Sequence, residues 1–127
     1  MVKKIKIVLG ALLLLGGSFC YAAEYYLSPG ITVDFPLPPH EPQVLTNSFF
    51  WTLTANCKVM SEDPSDDIFT EVLAGTGKVN NMPVKKGDTL TVTVHPKDTL
   101  YLVANSGSRV QLTNLGEHLV VGACTAG

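Results

Sequence analysis

The stretch SFFWTLTANCKVM, Ser48 to Met60, decides the fold. Apolar residues fall on every second position from Phe49 through Trp51, Leu53, Ala55 and Cys57 to Val59, while Thr52, Thr54, Asn56, Lys58 and Met60 take the positions between. A period of two is the mark of a strand with one buried face, so this segment is read as β with Cys57 turned into the core.

The same alternation recurs down the chain. ITVDF places Ile31, Val33 and Phe35 on one side; DTLTVTVH places Leu90, Val92 and Val94 inward; DTLYLVA places Leu100 and Leu102 inward; SRVQLT and HLVVGAC follow. HPKD, NSG and NLGE separate these runs, with residues that tolerate or pre-set turn geometry. Strands at about ten-residue spacing predict an all-β domain, a small antiparallel β-sandwich of Ig-like or jelly-roll-like layout whose C-terminal strands run as a meander. Asp88-Thr89-Leu90 and Asp98-Thr99-Leu100 begin two runs alike and are expected to be the arms of one hairpin, with NSGSR as a further hairpin turn. A smaller hairpin is expected to turn at Asn80-Asn81. DIFTEVLAG is read as a strand, because Ile, Phe, Thr and Val favour a pleated surface.

The N-terminus has a different character. Lys3, Lys4 and Lys6 precede an apolar run from Ile7 to Leu15, and small residues lead into CYAAE. This is the pattern of a cleaved secretory signal, residues 1–22, with cleavage after Ala22. The run is shorter than the roughly 20 residues a membrane-spanning helix needs. The remaining residues 23–127 are expected to form one domain that does not span a membrane. Its first part, 23–47, is an extended segment rich in proline (Pro36, Pro38, Pro39, Pro42) and reads as an edge or arm. The lysine-rich leader suits a bacterial protein of the periplasm or the extracellular space.

Without the leader the chain carries six basic and eleven acidic residues, a net charge of −5. That balance gives no footprint for nucleic acid or for anionic lipid. Cys57 and Cys124 are then the remaining cysteines, and an oxidising compartment pairs them across the core. The loop they close is worth about 4 kcal/mol in the chain-entropy model.

Motifs for catalysis are missing: there is no nucleophile elbow, zinc-helix motif or phosphate-cradling glycine loop. The acidic run with Glu62, Asp63, Asp66 and Asp67 lacks the spacing of a calcium loop and reads as a solvated surface. His40, His95 and His118 are dispersed, and the copper-type combination of Cys, His and Met does not gather on one loop. No metal or cofactor is expected, and no enzyme activity. The expected function is a non-catalytic protein-interaction module (accessory, inhibitor, immunity or envelope-associated) that binds a protein of the envelope or host through a sheet face or edge. The outward residues Phe50, Tyr101 and Val103 are its candidate interaction face. The alternative is a small-ligand-binding sandwich, for carbohydrate or copper.

Overall fold

The computed structural model describes residues 23–127; the expected signal segment, residues 1–22, lies outside the described residues. Eleven strands run in chain order: β1 (Ala23–Tyr26), β2 (Thr32–Leu37), β3 (Gln43–Thr46), β4 (Leu53–Ser61), β5 (Asp66–Ala74), β6 (Thr76–Val79), β7 (Met82–Lys85), β8 (Thr89–Val94), β9 (Thr99–Ala104), β10 (Arg109–Asn114) and β11 (Val120–Ala126). They form a six-stranded sheet in the order β2-β11-β4-β9-β6-β7 and a five-stranded sheet in the order β1-β3-β10-β5-β8. Every pairing is antiparallel except β1 with β3.

One long ribbon explains this order. The chain folds back at Asn80-Asn81, both with positive φ (47° and 68°), and Val79 faces Met82. Asparagine tolerates this left-handed geometry, which the tightest hairpin turns require at both central residues. From there the two arms stay paired outward: Ile68 with Val92, Cys57 with Leu100, Gln43 with Leu112 and Leu37 with Val120. At each corner the doubled ribbon crosses to the other sheet, so successive pairs alternate between the two layers. The crossing buries the apolar face of every pair against the opposite layer.

The core confirms the alternation read from the sequence where strands are regular. Leu53, Ala55, Cys57 and Val59 of β4 are all buried, as are Leu100 and Leu102 of β9 and Ile68 and Val72 of β5. Residues of both sheets join a single apolar cluster. DIFTEVLAG is a strand throughout. Residues 23–47 hold β1, β2 and β3, with the Pro36-bearing strand β2 on a sheet edge, where a missing N–H is tolerated.

Four expectations are corrected. β8 and β9 do not form a hairpin: β8 pairs with β5 in one sheet and β9 with β4 in the other, so the similar starts of these runs mark two equivalent corners. NSGSR is likewise a crossing between sheets and not a hairpin turn, since β9 and β10 lie in different layers. Cys57 and Cys124 are bonded, but they sit directly opposite one another on β4 and β11, neighbours within the six-stranded sheet, with Cα atoms 3.9 Å apart. The bridge therefore ties the late strand β11 to β4 and does not cross the core. Trp51 is 55% exposed, because the strand begins only at Leu53 and the residues before it turn a corner.

Candidate functional site

The corner between β3 and β4 presents the most exposed aromatic surface among the described residues. Phe50 is 93% exposed and Trp51 55%, while Phe49 is partly buried against the core and its ring lies 5.0 Å from that of Trp51. Large aromatics at a loop tip are costly to leave in water, and exposed apolar surface is a common feature of interaction sites.

What shapes the corner is Asn47, which is fully buried. Its Nδ2 donates to the carbonyls of Trp51 (2.9 Å) and Ala104 (2.8 Å), and its Oδ1 accepts from the N–H of Phe49 (2.9 Å). Its backbone N–H donates to the Ser108 carbonyl, and its carbonyl accepts from Gly107 N–H, both at 3.0 Å. Asparagine is suited to this place because one planar amide supplies two donors and an acceptor to a turn that lacks ladder partners. The neighbouring corner adds more: Ser106 Oγ donates to the Phe49 carbonyl (2.8 Å), and Thr52 Oγ1 donates to Asn105 Oδ1 (3.1 Å). Asn105 Nδ2 in turn donates to Thr76 Oγ1. The corner is thus fastened at both of its ends and at its middle. Phe50 projects from a fixed base.

Of the residues expected to form an interaction face, Phe50 stands on this corner. Tyr101 and Val103 lie on β9, half-buried, opposite Asn56 and Thr54 of β4. Tyr101 adjoins the Asn80-Asn81 turn, its N–H donating to Asn80 Oδ1 (2.9 Å). Phe50 therefore belongs to a different element from the other two. Trp51 and Phe49, which alternation assigned to the core, are its immediate companions.

A second polar cluster lies where the corner after β4 meets the corner after β10. His118 Nδ1 is 2.8 Å from Asp63 Oδ1, and the Asp63 carboxylate raises the histidine above its ordinary pKa. Ser61 Oγ donates to Asp66 (2.6 Å) and accepts from the Asp63 N–H (3.0 Å). Asp66 is buried, and loss of solvation, aided by the neighbouring Asp63, pushes its carboxyl upward. The acidic run is therefore not uniformly solvated, as the sequence suggested. Here too a buried asparagine organises the turn: Asn114 Nδ2 donates to the carbonyls of Leu37 and His118, and its Oδ1 accepts from Gly116 N–H. Serine, histidine and carboxylates are close in this cluster, but Ser61 bonds Asp66 while His118 bonds Asp63. Asp63 links the two, meeting His118 with its carboxylate and Ser61 with its N–H, so serine and histidine are joined through Asp63 and not by a direct hydrogen bond.

Each remaining histidine also meets a carboxylate: His40 faces Glu117 at 3.6 Å and His95 faces Asp98 at 3.0 Å. Among the described residues no group of three or more His, Cys, Asp or Glu is placed to hold a metal ion. Also among them, no helix is long and apolar enough to cross a membrane. Two partly open hollows of about 30 Å³ each are lined mainly by apolar side chains such as Leu45, Val79, Leu102 and Leu112, and neither gathers a histidine or a carboxylate. Such a volume has room for about one water. Compared with known protein families, with curated proteins and with solved structures, the chain matches none.

Proposed function

We propose that the chain is an exported, non-catalytic interaction module that binds another protein of the envelope or the host through the aromatic corner Phe49 to Trp51. The observation that carries this reading is Phe50, 93% exposed on a corner that Asn47 and Ser106 hold in place. A preorganised apolar finger loses little entropy on binding and fits the pocket of a partner protein. Full burial of such a ring contributes about 1.5–3 kcal/mol. The mature charge of −5 argues against nucleic acid or anionic lipid as the surface it enters.

The disulfide suits an oxidising compartment, and with the leader pattern it supports the periplasm or the extracellular space of a bacterium. Of the two layouts the sequence allowed, the doubled ribbon crossing between sheets favours the jelly roll over the Ig-like order. A second reading rests on the tilted ring pair Phe49–Trp51, which resembles the stacking platforms that hold sugars. It is weaker, because the nearest polar side chains, Asn47, Asn105, Thr52 and Ser106, are committed to hydrogen bonds inside the corner. Copper is disfavoured, since Cys57 and Cys124, the cysteines of the described residues, are both in the bridge.

Quantitative capture from the producing cell tests the proposal. Phe50→Ser and Trp51→Ser are compared with wild type and with Met60→Ser, an exposed apolar control on β4. The expected result is one protein recovered by wild type and control and reduced about tenfold or more by either corner variant. Equal recovery by all four would refute it, and binding to a glycan array that only Trp51→Ser abolishes would favour the sugar reading.

A further inference from the structure

The five-stranded sheet ends in β8, and no described strand lies beyond it. The other three edges are protected against pairing. β2 carries Asp34 and Pro36, β7 carries Pro83 and Lys85, and β1 is four residues long with Glu24 inside it. Such features blunt an edge. β8 reads Thr-Leu-Thr-Val-Thr-Val, six residues with high strand preference and with neither proline nor charge.

Its unpaired groups can be assigned. Val72 of β5 donates to the Asp88 carbonyl and accepts from Gly87 N–H, each at 2.9 Å, so the Asp88 carbonyl points toward β5. Alternation along an antiparallel strand then aims Leu90, Val92 and Val94 at β5 and turns the N–H and C=O of Thr89, Thr91 and Thr93 outward. Leu90 and Val92 face the core yet stay half-buried, as expected where no strand covers the flank.

We propose that β8 pairs antiparallel with β8 of a second copy of this chain, about a two-fold axis at Val92, so that the smaller sheets of two molecules become one. Two-fold pairing matches the strand with itself: Val92 meets Val92, Leu90 meets Val94, and Thr91 meets Thr93. Threonines opposite one another and apolar β-branched pairs are both favourable cross-strand neighbours, and no charge is opposed by its like. The flanking residues lie in corners, Gly87 and Lys97 having positive φ, so the register is carried by the six strand residues themselves. The pairing leaves the aromatic corner between β3 and β4 out of its register, so a dimer would present that corner twice.

Sedimentation of the disulfide-intact mature protein across the micromolar to millimolar range tests this. The expected result is a monomer–dimer equilibrium. Thr91→Pro removes an outward N–H that the internal ladder does not use, so it should abolish the dimer while leaving thermal stability near wild type. Thr91→Lys, the second variant, should weaken the dimer by about tenfold or more, and should speed amide exchange at Thr91 and Thr93. A wild-type protein that stays monomeric throughout would overturn the proposal, even if some other extended peptide bound the edge. So would a dimer that both variants leave intact.

Discussion

Replacing Asn47 by alanine removes the device that builds the aromatic corner, and the cost can be worked from its contacts. The carbonyls of Trp51 and Ala104 lose their donor, and the N–H of Phe49 loses its acceptor. A buried polar group left without a partner costs about 1–3 kcal/mol. Three such groups at a corner that water can partly enter give about 3 kcal/mol, against a total of roughly 5–15 kcal/mol for a domain of this kind. At about 4–8 °C per kcal/mol, the melting temperature should fall by roughly 12–24 °C. Asn47→Asp sharpens the test. It keeps the acceptor for Phe49 but turns a carboxylate oxygen toward two carbonyls, so its carboxyl should be held above the ordinary value. Its deficit at neutral pH should therefore shrink as the solution is acidified, since the folded state binds that proton more tightly than the unfolded chain. Urea unfolding, read by tryptophan fluorescence at Trp51, follows both variants. A loss below about 1 kcal/mol for Asn47→Ala would show that the corner is held by something other than this amide.

Four other outcomes follow from the same geometry. The double variant Cys57→Ala, Cys124→Ala should lose up to about 4 kcal/mol in urea unfolding, while retaining the far-ultraviolet β signature, because the bridge lies within one sheet and the loop it closes spans 67 residues. Gly77→Ala drives a Cβ into the Val103 carbonyl of the adjacent strand β9, and should cost about 2–4 kcal/mol and loosen the β6–β7 hairpin, seen as faster amide exchange at Val79 and Met82. His118 is raised by Asp63, so its contribution is complete below its ordinary value of about 6.5 and is lost as pH rises through the higher folded value; the urea midpoint should fall as pH is raised above about 6.5, and His118→Gln should flatten that slope. Gln43 is buried with Oε1 unpartnered, so Gln43→Met should stabilise the protein by about 1 kcal/mol in the same assay.

Strand character was legible in the sequence because burial on one face imposes a period of two. Leu53 to Val59 and Leu100 with Leu102 follow it, whereas DIFTEVLAG was legible only through strand preference, since Ile68, Phe69, Val72 and Leu73 are spaced as much for a helix as for a strand. The Asn80-Asn81 hairpin was legible for a local reason, the ease with which asparagine takes positive φ. Sheet membership was not legible. A linker such as His95 to Asp98 can return the chain beside its own strand or carry it across to the opposite layer, and alternation reports only that one face is buried. The choice is made by distant partners, β5 for β8 and β4 for β9. Trp51 was misplaced for a related reason. Its alternation continues that of β4, but Asn47 draws the preceding residues into a corner before the strand begins. An asparagine just ahead of SFF, matched by Asn114 ahead of LGE, was the available signal, since both supply amides to corners that lack ladder partners.

In the proposed function a fixed, outward Phe50 meets a partner protein. Site-specific photocrosslinking in the producing cell is its most direct test, with a benzophenone side chain placed at position 50 and, separately, at position 60. A single crosslinked protein at position 50, absent at position 60 and lost when Asn47 is changed to alanine in a still-folded background, is the expected result. Equal labelling from both positions, or none from position 50, would contradict it.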